Sequence, residues 1–433
     1  MHKAAEKIKI FLMKIKSNGM GAIVIYSVIN KIIGLVLAII IVRILTKSDY
    51  GVYSYANNII SIFLVFSGLG IKNGILQFCC EMRPDLEKAQ LYRFGFNFGL
   101  VINICISMAL VGYAALGPLA IPDGRSCLLL MGALPILSSI LDYGLIFLRT
   151  KLLNIEYAKA TNIHSVFNCI LSIGGAFLFG LKGYVLGQYG AYLVAIIYIW
   201  YCSKKEIREV LSTSANTKIP SVVKKDVIGY SITCASTNAL SSLLGYLDVF
   251  LLGIILSNEL VLASYKASST IPDAAKFFTV TIMVCIYPVF ANHKDDPAWL
   301  SKNIKLLVIG LAVFNGVISL GMYCGAEQII RVVYGSQYLD AVVVFRILTI
   351  SYFFATALRV PLGNILLMIR KEKVNFGLSI IAGGLNIVLD IILIPRYGSK
   401  GAAVATLIVV AFTSIYLVLY LIIYLYRVSK EEV

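Results

Sequence analysis

Apolar runs of about twenty residues, separated by short stretches carrying charges, glycine or proline, recur along the entire chain. A run of that length crosses a hydrocarbon core of about 30 Å as a helix. Bounding the runs at their charges and Gly/Pro signals predicts spans near residues 20–45, 52–71, 93–116, 126–148, 158–180, 184–202, 227–256, 262–291, 304–325, 341–369, 374–394 and 401–426. The pattern therefore predicts an all-α polytopic membrane protein of about twelve transmembrane helices rather than one water-soluble core.

The widest hydrophilic connection, Ser203 to Lys225, lies between the sixth and seventh spans. It divides the chain into an N-terminal six-helix lobe (1–203), a cytoplasmic linker (204–226) and a C-terminal six-helix lobe (227–433). The halves resemble each other. Ile44–Tyr55 can be laid on Ile254–Tyr265, pairing Asp49 with Glu259, Ser54 with Ser264 and Tyr55 with Tyr265. A stronger match lays Asn168 and Gly180-Leu181-Lys182-Gly183 on Asn386 and Gly398-Ser399-Lys400-Gly401 at the same spacing. With an even number of spans in each half, the repeats enter the membrane in the same sense, as two pseudo-symmetric lobes.

Composition agrees: of 433 residues, 59% are apolar and 14% charged, against roughly 45–50% and about 25% in a soluble domain. The net charge of +16 is spread through short loops, so it reads as membrane orientation and not as nucleic-acid binding. The loops assigned inside are far richer in Lys and Arg than those outside, which predicts a multi-pass protein with both termini cytoplasmic. Met1–Lys16 is basic and amphipathic but is followed by no short apolar stretch with a cleavage site, so no removable signal peptide is expected. Nine cysteines without CxxC spacing and three scattered histidines, His2, His164 and His293, support no metal site, disulfide framework or cofactor.

Ten charges fall inside the spans: Lys31, Arg43, Lys266, Lys276, Arg346 and Arg359, with Asp142, Asp248, Asp273 and Asp390. An ionisable group near the bilayer centre costs several kcal/mol unless it faces protein, water or a ligand. Lys266, Thr270, Asp273 and Lys276 recur at three- and four-residue steps on one stripe of the eighth span, with Pro272 inside it. Arg43, Lys266 and Arg346 sit in outer portions, where snorkelling to the headgroups is the alternative. Asp273 and Lys276 can equally form a neutral structural pair. Lys31 and Arg359 lie deepest, without a partner in their own span. Asp142 and Asp390 read either as inter-helix partners or as transport residues. Six cations against four acids make a positive interior that attracts an anion. Asp248 and Asp273 are the acids best placed to limit its charge or to take up a coupling proton or sodium ion.

Three stretches carry a family resemblance: Arg43-Ile44-Leu45-Thr46-Lys47-Ser48-Asp49-Tyr50-Gly51-Val52-Tyr53-Ser54, Gly68-Leu69-Gly70-Ile71-Lys72-Asn73-Gly74-Ile75, and Asn386 with Leu393 to Ala403. In these, and in length and span number, the chain resembles the polysaccharide or oligosaccharide (O-antigen-type) flippases of the multidrug/oligosaccharidyl-lipid/polysaccharide exporter superfamily. The resemblance implies a two-lobed twelve-helix flippase in a bacterial inner membrane. It would move an undecaprenyl-diphosphate-linked oligosaccharide from the cytoplasmic to the outer leaflet by alternating access. A polysaccharide polymerase and a chain-length regulator are the further partners it implies, besides membrane lipid. The anionic headgroup needs cations, for which Lys31, Arg43, Lys266, Lys276, Arg346 and Arg359 are the candidates, with no one of them singled out. A drug antiporter of the same superfamily is the alternative, but it calls for an acid in the core of the N-terminal lobe, and the first span has none. An enzyme is not expected, since no loop much exceeds about 20 residues.

Overall fold

The computed structural model describes residues 20–81, 84–213, 220–293, 296–369 and 371–431. The basic segment Met1–Lys16 and positions 214–219 of the expected linker lie outside the described residues. All twelve predicted runs fall on helical segments, and no strand occurs among the described residues. Among the described residues, nine helical stretches are at once long and apolar enough to cross a membrane. One of them, Asn154–Cys202, is 49 residues long, enough for two spans, and doubles back at Phe179–Gly180. Ser221–Leu256 and Glu259–Asn292 supply the remaining two runs.

The repeat seen in the sequence is a repeat of backbone geometry. Gly180 turns the first hairpin at φ 59°, ψ −138°. Gly398 turns the second, between Glu372–Tyr397 and Ser399–Glu431, at φ 59°, ψ −137°. In both hairpins a second glycine, three residues on, lets the returning helix press against its partner. A Cβ built on Gly183 would lie 1.9 Å from the Gly175 carbonyl oxygen, and one on Gly401 2.3 Å from that of Leu393. Lipid is as apolar as leucine, so helices in a membrane gain little by burying apolar surface against each other. Close approach over small residues and interhelical hydrogen bonds hold them instead. One such polar contact joins three helices: Asn315 Oδ1 accepts from Tyr352 Oη at 2.7 Å and from Thr279 Oγ1 at 3.3 Å.

A second feature of the backbone interrupts a span. Lys47–Leu64 gives way to a short 3-10 turn, Ser67–Gly70, before the helix Ile71–Cys80. Gly68, Leu69 and Gly70 all take positive φ, 54°, 46° and 73°. Ser67 Oγ donates to Asn103 Oδ1 at 2.9 Å beside this break. Lys72, just beyond it, pairs with Asp142 at 3.0 Å, which places Asp142 as an inter-helix partner.

By its contacts the chain divides into two compact units: Met1–Leu45 with Ala56–Leu243, and Thr46–Tyr55 with Leu244–Val433. The second unit thus takes a ten-residue segment from early in the chain. Lys47 Nζ donates to Asp340 at 2.7 Å and to the Gln337 carbonyl at 3.0 Å, and Asp340 also accepts from Ser264 Oγ at 2.7 Å. Gly51 packs so closely that a Cβ there would sit 2.0 Å from the Glu259 carbonyl oxygen. Gly51→Ala should therefore lift the segment off its unit. The expected result is faster amide hydrogen exchange across Thr46–Tyr55, and exchange at the wild-type rate would contradict this packing.

Candidate functional site

Five polar side chains converge inside the second unit, drawn from helices far apart in sequence. Asp248, on Ser221–Leu256, accepts from Tyr265 Oη at 2.8 Å and from Thr406 Oγ1, on Ser399–Glu431. Asn386 and Asp390, one turn apart on Glu372–Tyr397, lie beside the same carboxyl and interact with it. Asp390 is fully buried, and neither of its carboxyl oxygens receives a donor. The two carboxyls therefore face each other with only one of them supplied with hydroxyl donors. Two negative charges about 4 Å apart repel by about 4 kcal/mol even at an effective dielectric near 20. A proton on one of the carboxyls, or a cation beside them, would relieve that repulsion. The donor set of two carboxylates, a carboxamide and two hydroxyls offers oxygen ligands, which suit a hard cation.

Apart from Asp248, the predicted site residues do not join this cluster. Asp273 is bound to Lys276 at 2.7 Å, one turn away on the same helix, with both side chains substantially exposed. Lys266 is partly buried and its backbone carbonyl accepts from Thr270 at 2.8 Å. Arg346 lies with its guanidinium 5.7 Å from the centre of the Tyr323 ring, and its Nε is buried without a hydrogen bond. Lys31 and Arg43 are exposed on Met20–Ile44.

Arg359 has the most developed surroundings. It ends a π-helical turn, Ala355–Arg359, in which the Val360 N–H donates to the Ala355 carbonyl five residues back. Such bulges are frequent at functional sites, and Pro361, which has no N–H to give, follows directly. The bulge leaves Arg359 at the edge of a cavity of about 200 Å³, shared with Asn364, Asn375 and Ser379.

Asp390 and Asn386 are the members that the charge count alone did not bring to Asp248. Their signal was present as a polar pair four residues apart in an otherwise apolar helix, carried by the same Asn386 that anchors the internal repeat. The repeat also shows where the acids are absent. Under the two alignments Asp248 falls on Ala38, Asp390 on Ser172 and Thr406 on Gln188. Ser172 instead donates to Asn168 at 3.1 Å.

The sequence profile of the polysaccharide biosynthesis proteins matches residues 40–343. An uncharacterized membrane protein of Methanocaldococcus jannaschii, MJ1375, is 26% identical over 244 residues, covering 56% of this chain and 55% of its own. The chain thus spans about half the length of that relative. Among solved structures, an inward-facing multidrug resistance transporter of the MATE family, in the MOP superfamily, is similar with a TM-score of 0.76 at 13% identity, over 93% of this chain and 96% of that one. The lipid II flippase MurJ in an inward closed conformation gives 0.73 at 14% identity, over 94% and 89%. These likenesses establish a two-lobed, all-α membrane fold. With well over half of its length matched by the family profile, the chain belongs to the polysaccharide biosynthesis protein family.

Proposed function

We propose that this protein is a flippase that carries an undecaprenyl-diphosphate-linked oligosaccharide, an O-antigen or capsule repeat unit, from the cytoplasmic to the outer leaflet of a bacterial inner membrane. In this reading both termini are cytoplasmic, and the two six-helix repeats act as the moving lobes. The observation that carries it is the excess of basic over acidic side chains within the spans of a polysaccharide biosynthesis protein, of which Lys276 is neutralised by Asp273. Lys31 and Arg359 have no ion pair among the described residues. A cation held at such depth is costly unless water or an anion meets it, and a lipid-linked diphosphate is an anion. The Asp248–Asp390 pair supplies the coupling site, taking up a proton or sodium ion on one side and releasing it on the other. The MATE-like fold keeps the drug antiporter as the second reading. The acid pair would serve coupling in either, so it does not separate them; the surplus of embedded cations favours the anion.

The test is complementation of a strain lacking its own flippase. Wild-type protein should restore surface glycan, and the Lys31→Ala, Arg359→Ala double variant should lower it at least about tenfold at equal membrane abundance, equivalent to ~1.4 kcal/mol of lost stabilisation. Full glycan display by the double variant would remove both cations from the mechanism. Extrusion of cationic dyes without glycan export by the wild type would favour the antiporter.

A further inference from the structure

The cavity beside Arg359 lies outside the coupling site, and its chemistry is specific. Arg359 is nine residues, about 14 Å at 1.5 Å per residue, from the end of its span at Met368. Its guanidinium has no carboxylate within ion-pair distance among the described residues. Asn375, across the cavity, makes no hydrogen bond through its carboxamide; only its backbone carbonyl is engaged, by Ser379 Oγ at 2.9 Å. Asn364 spends its amide on the Val360 carbonyl at 2.8 Å. Gly363 keeps the floor low, since a Cβ there would touch Asn375 Oδ1 at 3.4 Å. What remains free in the cavity is therefore mainly N–H donors, the planar fork of Arg359 and the Asn375 amide, around one positive charge. Such a set binds a tetrahedral oxyanion through charge-assisted hydrogen bonds. A volume of about 200 Å³ admits a phosphate and its first substituents but not an oligosaccharide.

A second feature runs along the helix whose Leu417 lines the cavity. Tyr416, Tyr420 and Tyr424 stack along Ser399–Glu431 with ring centres 6.4 and 6.5 Å apart and planes within 18° and 6°. Each four-residue step turns this ladder by about 40° towards the face of Leu417, which lines the cavity. At its inner end Lys371 Nζ stands 5.5 Å from the centre of the Tyr424 ring. A continuous aromatic strip about 12 Å long thus flanks an oxyanion cavity, with a second cation where the ladder reaches the end of the span.

We propose that this is the docking site for the carrier lipid itself. The cavity takes the phosphate of a polyprenyl phosphate or diphosphate, and the first isoprene units lie along the tyrosine ladder. The site rests on the flippase reading and refines it, assigning the carrier's anion to the second unit and leaving the glycan outside the cavity. The unsaturated, branched prenyl chain is matched to a row of flat rings. A saturated phospholipid shares the phosphate but not the chain.

The test uses the full-length protein in lipid nanodiscs and a polyprenyl monophosphate carrying a photoreactive terminal group. Crosslinks should map to residues 359–379 and 416–424, and Arg359→Gln should weaken binding at least tenfold, with partial recovery in Arg359→Lys. The Tyr420→Ala, Tyr424→Ala pair should weaken the prenyl phosphate while leaving inorganic phosphate binding unchanged. Where Arg359→Gln fails to fold, Asn375→Leu reads the same loss. Competition by phosphatidylglycerol as strong as by the prenyl lipid would reduce the site to a general anionic-lipid contact and overturn the assignment. Full displacement by inorganic phosphate alone would assign it to free phosphate, with the same consequence. Unchanged binding in both cavity variants overturns the proposal but leaves the flippase standing if the wild type still exports glycan. Absence of wild-type export sinks the flippase reading whatever the cavity binds.

Discussion

Asp390→Asn is expected to stop transport in a protein that inserts and folds. The carboxamide keeps the shape of the side chain and gives Asp248 a neutral donor, so it replaces the proton or cation that two facing carboxyls demand. Asp390 has no hydrogen-bond donor to lose, so the exchange leaves no group stranded. What disappears is the second charge needed to capture and release an ion. The expected loss is at least about tenfold in flipping rate in proteoliposomes, or ~1.4 kcal/mol, with an unchanged elution profile in detergent. Asp248→Leu should behave differently. It strands the hydroxyl of Tyr265, which donates to Asp248, at about 1–3 kcal/mol for an unsatisfied buried group, while Thr406 keeps the Ala402 carbonyl as acceptor, and it should lower thermal stability as well as activity. Ion-dependent transport at the wild-type rate by Asp390→Asn would take the pair out of the coupling mechanism.

The second large effect is expected at the two hairpin glycines. Gly183→Ala and Gly401→Ala place a methyl carbon 1.9 and 2.3 Å from carbonyl oxygens of the facing helix, and neither oxygen is the end of a flexible side chain. Backbone must move, which separates the helices where close approach is what holds them. At the turns, Gly180 and Gly398 occupy a positive-φ conformation that side chains other than hydrogen rarely adopt, costing of order 1–3 kcal/mol on substitution. The folded yield in detergent should fall for all four alanine variants, most for Gly183→Ala, while Gly174→Ala, which has open space around its Cβ, serves as the matched control. A normal melting profile for Gly183→Ala would mean the helices pack less tightly than described.

The helical runs were legible because a bilayer imposes one length on every span, and the twelve runs follow from that length alone. The hairpin repeat was legible because glycine is required at both turns and both crossings. Less could be seen of the site. Asp248 announced itself as a charge within a span, but its neighbours are 17, 138, 142 and 158 residues away in sequence, and periodicity within one helix says nothing about which helices meet. Asp273 looked equivalent by count and depth; its pairing with Lys276 at three residues' spacing gives it a local partner that Asp390 lacks. The cavity at Arg359 depends on a π turn, which depends on where a backbone bond slips by one residue, and apolar patterning does not encode that.

The segment Thr46–Tyr55 has a consequence for how the protein is made. Its residues pack with the part of the chain that begins at Leu244, and Lys47 meets its acid 293 residues later. At about 5–20 residues per second of synthesis, that leaves roughly 15 to 60 s in which an early helix sits in the bilayer with its lysine uncompensated and its glycine face bare. Something must shelter it over that interval, whether insertion machinery, lipid headgroups or water. A nascent chain arrested before Asp340 is synthesised should therefore be far more open to proteolysis and quality control at residues 46–55 than one arrested just after it has cleared the ribosome.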